Sequence, residues 1–466
     1  MVDRTVMQSG RYKAYPEYKG SGVEWIGEIP SDWNILSLKR CVDGVTNGIW
    51  GTEPNGHDDL VVLRVADFDR NRLVVSDEKL TYRSITKKEA ESRLLTKGDL
   101  LIEKSGGGDK TLVGCVVLFD KDYPAVTSNF VAKMTPNEGY SSRFLLYAFS
   151  LLYDGRVNFS SIKQTTGIQN LDSDAYLMEK FCFPTKTNQE KIANFLDYET
   201  AKIDTLIGKQ QRLIELLTEK RQAVISHAVT KGLSPDVPMK DSGVEWLGEV
   251  PGHWEISPLR LYVDTRKGVA FKSVDFADIG IRVVKASDIK NRTILSSDIY
   301  LPESFANIYP KAVLRSGDII LSTVGSTPDV KNSAVGQVGI LPRELDGSLL
   351  NQNTVVFSPR SKLLTNNFLF NLIQTDDYRE HLDLHAHGTA NQASLNVADM
   401  LNFIFARPPV EEQTSISTYI QQSKMKFDDL IFKAQQQIQL MQERRTALIS
   451  AAVTGKIDVR DWVKPE

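Results

Sequence analysis

The sequence predicts an α+β protein in which two mixed α/β modules alternate with two long helices, the helices pairing as an antiparallel coiled coil and the halves forming a pseudo-twofold internal repeat. Two duplications carry this expectation. SGVEWIGEIPSDW, from Ser21 to Trp33, returns as SGVEWLGEVPGHW, from Ser242 to Trp254, with nine of thirteen positions identical at a shift of 221 residues. A second set repeats at a shift of 224, aligning Pro184 with Pro408, Gln189 with Gln413, Asp204 with Asp428, Glu219 with Glu443, Arg221 with Arg445 and Ser226 with Ser450. Self-similarity at fixed spacing sets architecture before any single element does. Four segments follow: a module over 1–187, a central helix and linker over 188–232, a second module over 233–410, and a distal helix and tail over 411–466.

Within the first module, short runs rich in Val, Ile and Leu are broken by Gly, Asp and Asn. Leu60 to Val65, Asp99 to Lys104, Leu112 to Phe119 and Phe130 to Met134 read as strands. Phe144, Leu145, Tyr147, Ala148, Leu151 and Leu152 fall at helical spacing between them. The second module repeats the order with Ile281 to Ala286, Asp318 to Val324, Val335 to Leu341 and Asn353 to Phe357, then a helical stretch from Asn366. The register between copies drifts from 221 to 219, to 222 and finally to 224, so length changes fall in the loops of the modules.

The helices are expected from Thr187 to Val229 and from Glu411 to Val453, each preceded by proline and followed by Gly232 or Gly455. Leu196, Ile203, Leu206, Gln210, Leu213, Leu217 and Val224 step alternately by three and four, answered by Ile420, Phe427, Leu430, Ala434, Gln437, Met441 and Leu448. Such regularity reads as a coiled-coil seam, flanked by Ile207, Ile214, Ile225, Ile431, Ile438 and Ile449. A helix of this length spans roughly 60 Å, more than one module needs for its own core. Its simplest partner is the matching helix; the alternatives are its own module or another chain.

Bulk composition excludes several classes. Of 466 residues, 41% are hydrophobic and 25% charged, with no long apolar run, which argues for neither a disordered chain nor a membrane protein. The first twenty residues lack the apolar stretch of a secretory leader, so a cytoplasmic location is expected. Cys41, Cys115 and Cys182 lie far apart, without thiolate-site spacing, and are expected in the core. The net charge is −3, and no segment is strongly basic. Nucleic-acid affinity from this chain alone should then be modest, because phosphate neutralisation supplies much of such binding.

No catalytic, metal or cofactor site emerges. Ser105 to Thr111 (SGGGDKT) lacks the spacing of a phosphate-binding loop and reads as a glycine-rich turn. His381, His385 and His387 with Asp383 have metal-compatible spacing, but the first copy offers KQTTG at the equivalent place. No Pro-Pro-aromatic triplet follows an Asn, Asp or Ser, as a base-amino methyltransferase requires, and neither Pro-Asp pair has the downstream ExK set of metal-dependent phosphodiester cleavage.

The segments YKAYPEYKGSGVEWIGEIPSDW and MKDSGVEWLGEVPGHW, with the helix ends EKRQAVISHAVTKG and ERRTALISAAVTGK, resemble the specificity subunit of type I restriction-modification systems over nearly the whole chain. That resemblance implies a non-catalytic protein whose two target-recognition domains each read half of a bipartite DNA site. It also implies two adenine methyltransferase subunits docked on the constant parts, and motor-endonuclease subunits in the full complex. Matched segments suit identical partners, and differing segments suit different bases. The target adenine would be flipped into the partner's pocket.

Polar and aromatic loop residues are the candidate DNA contacts. In the first module these are Thr46, Asn47, Trp50, Arg64, Arg70, Arg72, Lys104, Ser105, Lys163, Gln164 and Thr165. In the second they are Lys267, Phe271, Lys272, Lys285, Lys290, Arg292, Ser322, Thr323, His385 and His387. Arg and Lys suit guanine, Asn and Gln suit adenine, and apolar groups meet the thymine methyl. Trp25, Trp33, Trp246 and Trp254 recur in both copies and are expected to pack near the helix ends or to dock a partner. Two other readings compete: a self-sufficient nuclease or methyltransferase with unrecognised motifs, and a scaffold whose modules bind protein.

Overall fold

The computed structural model describes residues 12–465 apart from 58, 107–110, 166, 297, 326–334 and 390–391. It divides into two compact units, one of Met1–Gln210 with Gln436–Glu466, the other of Gln211–Gln435. The units cut across the four sequence segments, because each takes the first part of one long helix and the last part of the other. The helices themselves span Lys186–Lys231 and Val410–Val453.

Unit 1 is built on a six-stranded sheet in the order Thr46–Asn47, Val131–Met134, Leu100–Glu103, Val116–Leu118, Val74–Val75, Phe68–Asp69. Only the Val116–Leu118 and Val74–Val75 pairing is parallel. Alternate residues face opposite sides of such strands. Leu100 and Ile102 therefore enter the cluster beneath the helix Ser142–Asp154, while Leu101 enters a second cluster with Val117 and Phe119. Two three-stranded sheets flank it, Ala125–Thr127 with Asp59–Leu63 and Tyr82–Ser84, and Ser105–Gly106 with Ile168–Leu171 and Ile162–Thr165.

Unit 2 repeats the plan strand for strand. Its six-stranded sheet runs Val263–Lys267, Thr354–Pro359, Ile319–Ser322, Val338–Ile340, Thr293–Ile294, Ile289–Lys290. The flanking hairpin sheet is Val324–Gly325, Gln392–Ser394 and His387–Thr389. The mixed modules and the internal repeat are thus as the sequence predicts.

In each unit the two long helices meet in antiparallel sense. In unit 1, Lys191 near the start of the first helix reaches the Arg460 carbonyl beyond the end of the second at 2.7 Å, and Asp204 accepts from Arg445 Nε at 3.1 Å. In unit 2 Arg221 and Asp428 form the same ion pair, 224 residues displaced. Burial follows the expected seam except at three leucines. Leu196, Ile203, Ile420 and Leu448 are buried and Leu217, Val224, Phe427 and Met441 half-buried, but Leu206, Leu213 and Leu430 are exposed at 50%, 43% and 47%. Half-buried Ile207, Ile214, Ile431 and Ile438 take their place. Both stripes are apolar, and only a packed neighbour decides which faces inward.

The duplicated segments close the units. Tyr18–Gly20 pairs with Glu28–Pro30, and Met239–Asp241 with Glu249–Pro251, as matching hairpins. Each delivers a buried tryptophan, Trp33 or Trp254, onto the glycine that ends a long helix. Gly455 has φ +70° and Gly232 φ +77°, left-handed values that end a helix at little cost only for glycine. The helix starts are matched too. Gln189 is buried, donating to the Pro184 carbonyl at 2.9 Å and accepting from Ser141 N at 2.9 Å. Gln413 likewise donates to the Pro408 carbonyl at 2.9 Å and accepts from Thr365 N at 2.7 Å. Gln189→Leu or Gln413→Leu leaves a buried N–H and C=O unpaired, so each should lower stability by about 2–4 kcal/mol in denaturant unfolding. A change below half a kcal/mol would show that these bonds are replaced locally.

Candidate nucleic-acid interface

The two edges of each six-stranded sheet divide the candidate residues into two groups. At the Thr46–Asn47 edge of unit 1, Lys104 Nζ donates to Asn47 Oδ1 at 2.5 Å, and Arg93 Nε donates to the Asn47 carbonyl at 3.2 Å. Ser105 lies opposite Asn170, and Asn170 opposite Lys163, so the three form one row across the flanking sheet. Gln164 stands in the next row, opposite Gln169. Trp50 is 36% exposed and carries the Arg83 guanidinium 4.6 Å above its ring. The structure therefore brings together Asn47, Lys104, Ser105 and Lys163, with Thr46 and Gln164 next to them along their strands; Trp50 is placed by its Arg83 contact alone, and the side chain of Thr165 lies outside the described residues.

Unit 2 holds an equivalent frame with other side chains. Leu171 N donates to the Lys104 carbonyl and Leu395 N to the Thr323 carbonyl, both at 2.8 Å, which makes Thr323 the counterpart of Lys104. Val324, Ser394 and His387 form the row that Ser105, Asn170 and Lys163 form in unit 1. Lys267 ends the edge strand where Asn47 does. One frame thus presents Asn47, Lys104, Ser105 and Lys163, and the other Lys267, Thr323, Val324 and His387.

Several candidates are committed to packing instead. Arg64 grips Asp67 at 2.8 Å, and the same turn recurs at Lys285, whose backbone N donates to Asp288 at 2.8 Å. Arg70 Nη2 pairs with the fully buried Glu103 at 2.7 Å and Arg70 Nη1 donates to the Tyr153 hydroxyl at 3.1 Å. Burial pushes the Glu103 carboxyl up, against the pull of Arg70. Arg292 Nη2 donates to Gln222 Oε1 on the first long helix at 2.8 Å, and burial together with Arg221 pushes its guanidinium down. Ser322 is buried, its hydroxyl accepting from Gln337 N at 3.0 Å. Phe271 packs against Phe305 and Tyr309, and His385 Nδ1 lies 2.7 Å from the His381 carbonyl. Burial also lowers the His381 imidazole. Arg72, Lys272 and Lys290 remain exposed, Arg72 and Lys290 at the far sheet edge.

Arg83, Arg93 and Asn170 stand beside these candidates without being among them. Arg83 and Arg93 sit in polar runs with nothing to single them out, and Asn170 is placed only by strand register. Lys163 is 75% exposed and pairs with Asp172 at 2.8 Å, a surface bridge that phosphate can displace. Cys41, Cys115 and Cys182 are buried, and burial pushes each thiol up to about 12. Among the described residues no group of three or more His, Cys, Asp or Glu could hold a metal ion, and no helix is long and apolar enough to cross a membrane.

Part of the apolar exposure on the long helices is also paired. Leu206 and Leu440 are exposed in unit 1, Leu430 and Leu216 in unit 2, and the members correspond at the 224 shift. Trp25 and Trp246 are each 37% exposed, lying against Phe181 and Phe403. Each unit therefore exposes a matched pair of leucines and one tryptophan, while Leu213, Tyr419, Met425 and Phe432 are exposed without an exposed apolar counterpart.

Over residues 60–216 and 251–440 the sequence matches the family described as the type I restriction modification DNA specificity domain. The MjaVIII type I restriction enzyme specificity subunit of Methanocaldococcus jannaschii is 27% identical over 317 residues, 68% of this chain and 71% of that protein. The EcoKI specificity subunit of Escherichia coli is 20% identical over 404 residues, 85% and 83% of the two chains. Among solved structures, one described as the structural basis of complex assembly and conformational transition of the type I R-M system superposes with a TM-score of 0.64 at 16% identity, covering 91% of this chain and 98% of that one. The HsdS subunit from Thermoanaerobacter tengcongensis gives 0.52 at 14% identity, covering 92% and 98%.

Proposed function

The chain belongs to the type I restriction-modification DNA specificity family, and from that premise we propose that each unit reads one half of a bipartite DNA site for a partner adenine methyltransferase. The observation that carries this reading is the shared frame with unlike side chains. Lys104 with Asn47 offers a cation and an amide where Thr323 and Lys267 offer a hydroxyl and a cation. Base edges are distinguished by their donor and acceptor patterns, so two such sets read two different sequences from one geometry.

The constant parts support the remainder of the reading. Two equivalent methyltransferase subunits would dock on the repeated exposed residues, Leu206 with Leu440 and Leu430 with Leu216, and helix length would set the spacer between half-sites. Motor-endonuclease subunits would join in the full restriction complex. Recognition belongs to this chain and chemistry to its partners. A near-neutral chain makes few phosphate contacts, so its own DNA affinity should be modest and rise steeply when the methyltransferase closes around the duplex.

Mapping of methylated adenines on DNA treated with the chain, the methyltransferase subunit and methyl donor should give one interrupted sequence. The chain alone with methyl donor and Mg²⁺ should give neither methylation nor cleavage. Product without the partner would make it an enzyme in its own right. An uninterrupted site would remove the division of labour between the units.

A further inference from the structure

The loop that follows the edge strand Val263–Lys267 holds three apolar side chains in solvent. Val274 is 85% exposed and Ile279 83%, with Phe276 at 40% between them. Exposed aliphatic groups on a slack loop would mean little, but this loop is tied down. Asp275 N donates to the Lys272 carbonyl at 3.0 Å and Phe276 N to the Ser273 carbonyl at 3.3 Å, closing a short turn with Val274 at its centre. Ala277 bridges to Tyr300, and Phe271 anchors the root among Phe305 and Tyr309. Val and Ile are moreover stiff at χ1. Two rigid aliphatic groups are thus held in solvent by a fixed backbone.

Resting on the DNA-reading role proposed above, we propose that Val274 and Ile279 contact a thymine methyl group in the half-site read by unit 2. Continuity places the loop at the reading edge. Val269, just beyond Lys267, bridges to Asn351, and Thr323 N donates to the Asn353 carbonyl, so both flank one turn. Chemistry then selects the part of the duplex that is met. The loop carries Val274, Phe276 and Ile279 with Asp275 and Asp278, and neither apolar nor acidic groups take phosphate. Base edges remain, where aliphatic groups meet the thymine C5 methyl and a carboxylate can accept from the cytosine amino group. Lys272 at the root is exposed and supplies a backbone contact. Unit 1 has Gly51, Thr52, Glu53, Pro54, Asn55 and Gly56 at the corresponding place, so the contact belongs to one half-site only.

The test uses the full chain with its methyltransferase partner on oligonucleotide duplexes bearing the mapped site. Each thymine is replaced in turn by deoxyuridine, which lacks only the methyl group. Wild-type protein should lose roughly three- to tenfold in methylation kcat/KM at one or two thymines, all in one half. Val274→Ser with Ile279→Ser removes every side-chain methyl of the pair and should abolish that discrimination, the thymine and deoxyuridine duplexes then being methylated with equal kcat/KM. Both side chains are exposed, so folding should be unaffected. Insensitivity at every thymine, or discrimination that survives the double substitution, overturns the contact while leaving the DNA-reading role intact. Failure of wild type to direct methylation to any fixed sequence overturns that role and the contact with it. Lost assembly with the methyltransferase in the double variant assigns the loop to a protein interface and also overturns the contact.

Discussion

Trp33→Ala or Trp254→Ala should lower the stability of its unit by about 3–5 kcal/mol, the usual cost of emptying a large aromatic site in a core. Both indoles are at most 1% exposed, and each seals the end of a long helix. The two sites differ in one atom's partner. Trp254 Nε1 donates to Glu412 at 2.9 Å, whereas Trp33 Nε1 has no hydrogen-bond partner among the described residues. Phenylalanine removes the indole N–H from both. Trp254→Phe should therefore cost about 1–2 kcal/mol more than Trp33→Phe, since only the former breaks a charge-assisted bond. Denaturant unfolding read by hydrogen exchange in each unit measures the contrast. The closing glycines give the opposite ranking. A Cβ on Gly455 would lie 2.4 Å from Pro30 Cδ, but one on Gly232 meets nothing closer than Trp254 at 3.2 Å. Both alanines pay the left-handed penalty, and Gly455→Ala adds a clash with a stiff ring, so it should be the worse by about 1–2 kcal/mol. Equal effects in either comparison would mean that the hairpins relax around the change.

Much of this was legible because a duplication tests itself. Pro184 with Gln189 and Asp204 with Arg221 align with their counterparts in sequence, and in the structure they make the same bonds in both units. What stayed hidden depends on neighbours distant along the chain. Nothing near Trp33 shows that it packs on Gly455, more than four hundred residues away. At Leu206, Leu213 and Leu430 the helix seam was off by one position because Leu206 and Ile207 are equally apolar, as are the other two pairs, and only the facing helix chooses between them. Arg70 looked like a free cation because its partner Glu103 reads as part of a strand. Arg64 is the exception: Asp67 lies three residues on, the same spacing recurs at Lys285 and Asp288, and that repeat was a usable sign of a structural turn. Among the candidate contacts, residue type can be read from the sequence and register cannot. The row of Ser105, Asn170 and Lys163 exists only once the hairpin has paired.

Exchange of the reading set should move half of the recognised sequence. Asn47→Lys, Lys104→Thr, Ser105→Val and Lys163→His together give unit 1 the side chains that unit 2 presents from the matched frame. Each mismatched base pair typically costs about 1–3 kcal/mol, so loss of two contacts should reduce methylation of the original site by roughly 30-fold or more. The other half-site should be untouched, because none of the four positions lies in unit 2. Lys104→Ala alone separates base reading from phosphate contact. A base-reading lysine, removed, relaxes specificity at one position, whereas a phosphate-binding lysine weakens all sequences alike and reduces the salt slope by about one. The 2.5 Å bond to Asn47 Oδ1 favours the first outcome, since it holds the ammonium at one point beside the strand end while leaving further N–H donors to give. Mapping methylated adenines for the fourfold variant decides the matter. A shifted half-site confirms that the frame carries the code, and an unchanged sequence at lower rate would place base recognition in other residues of the unit.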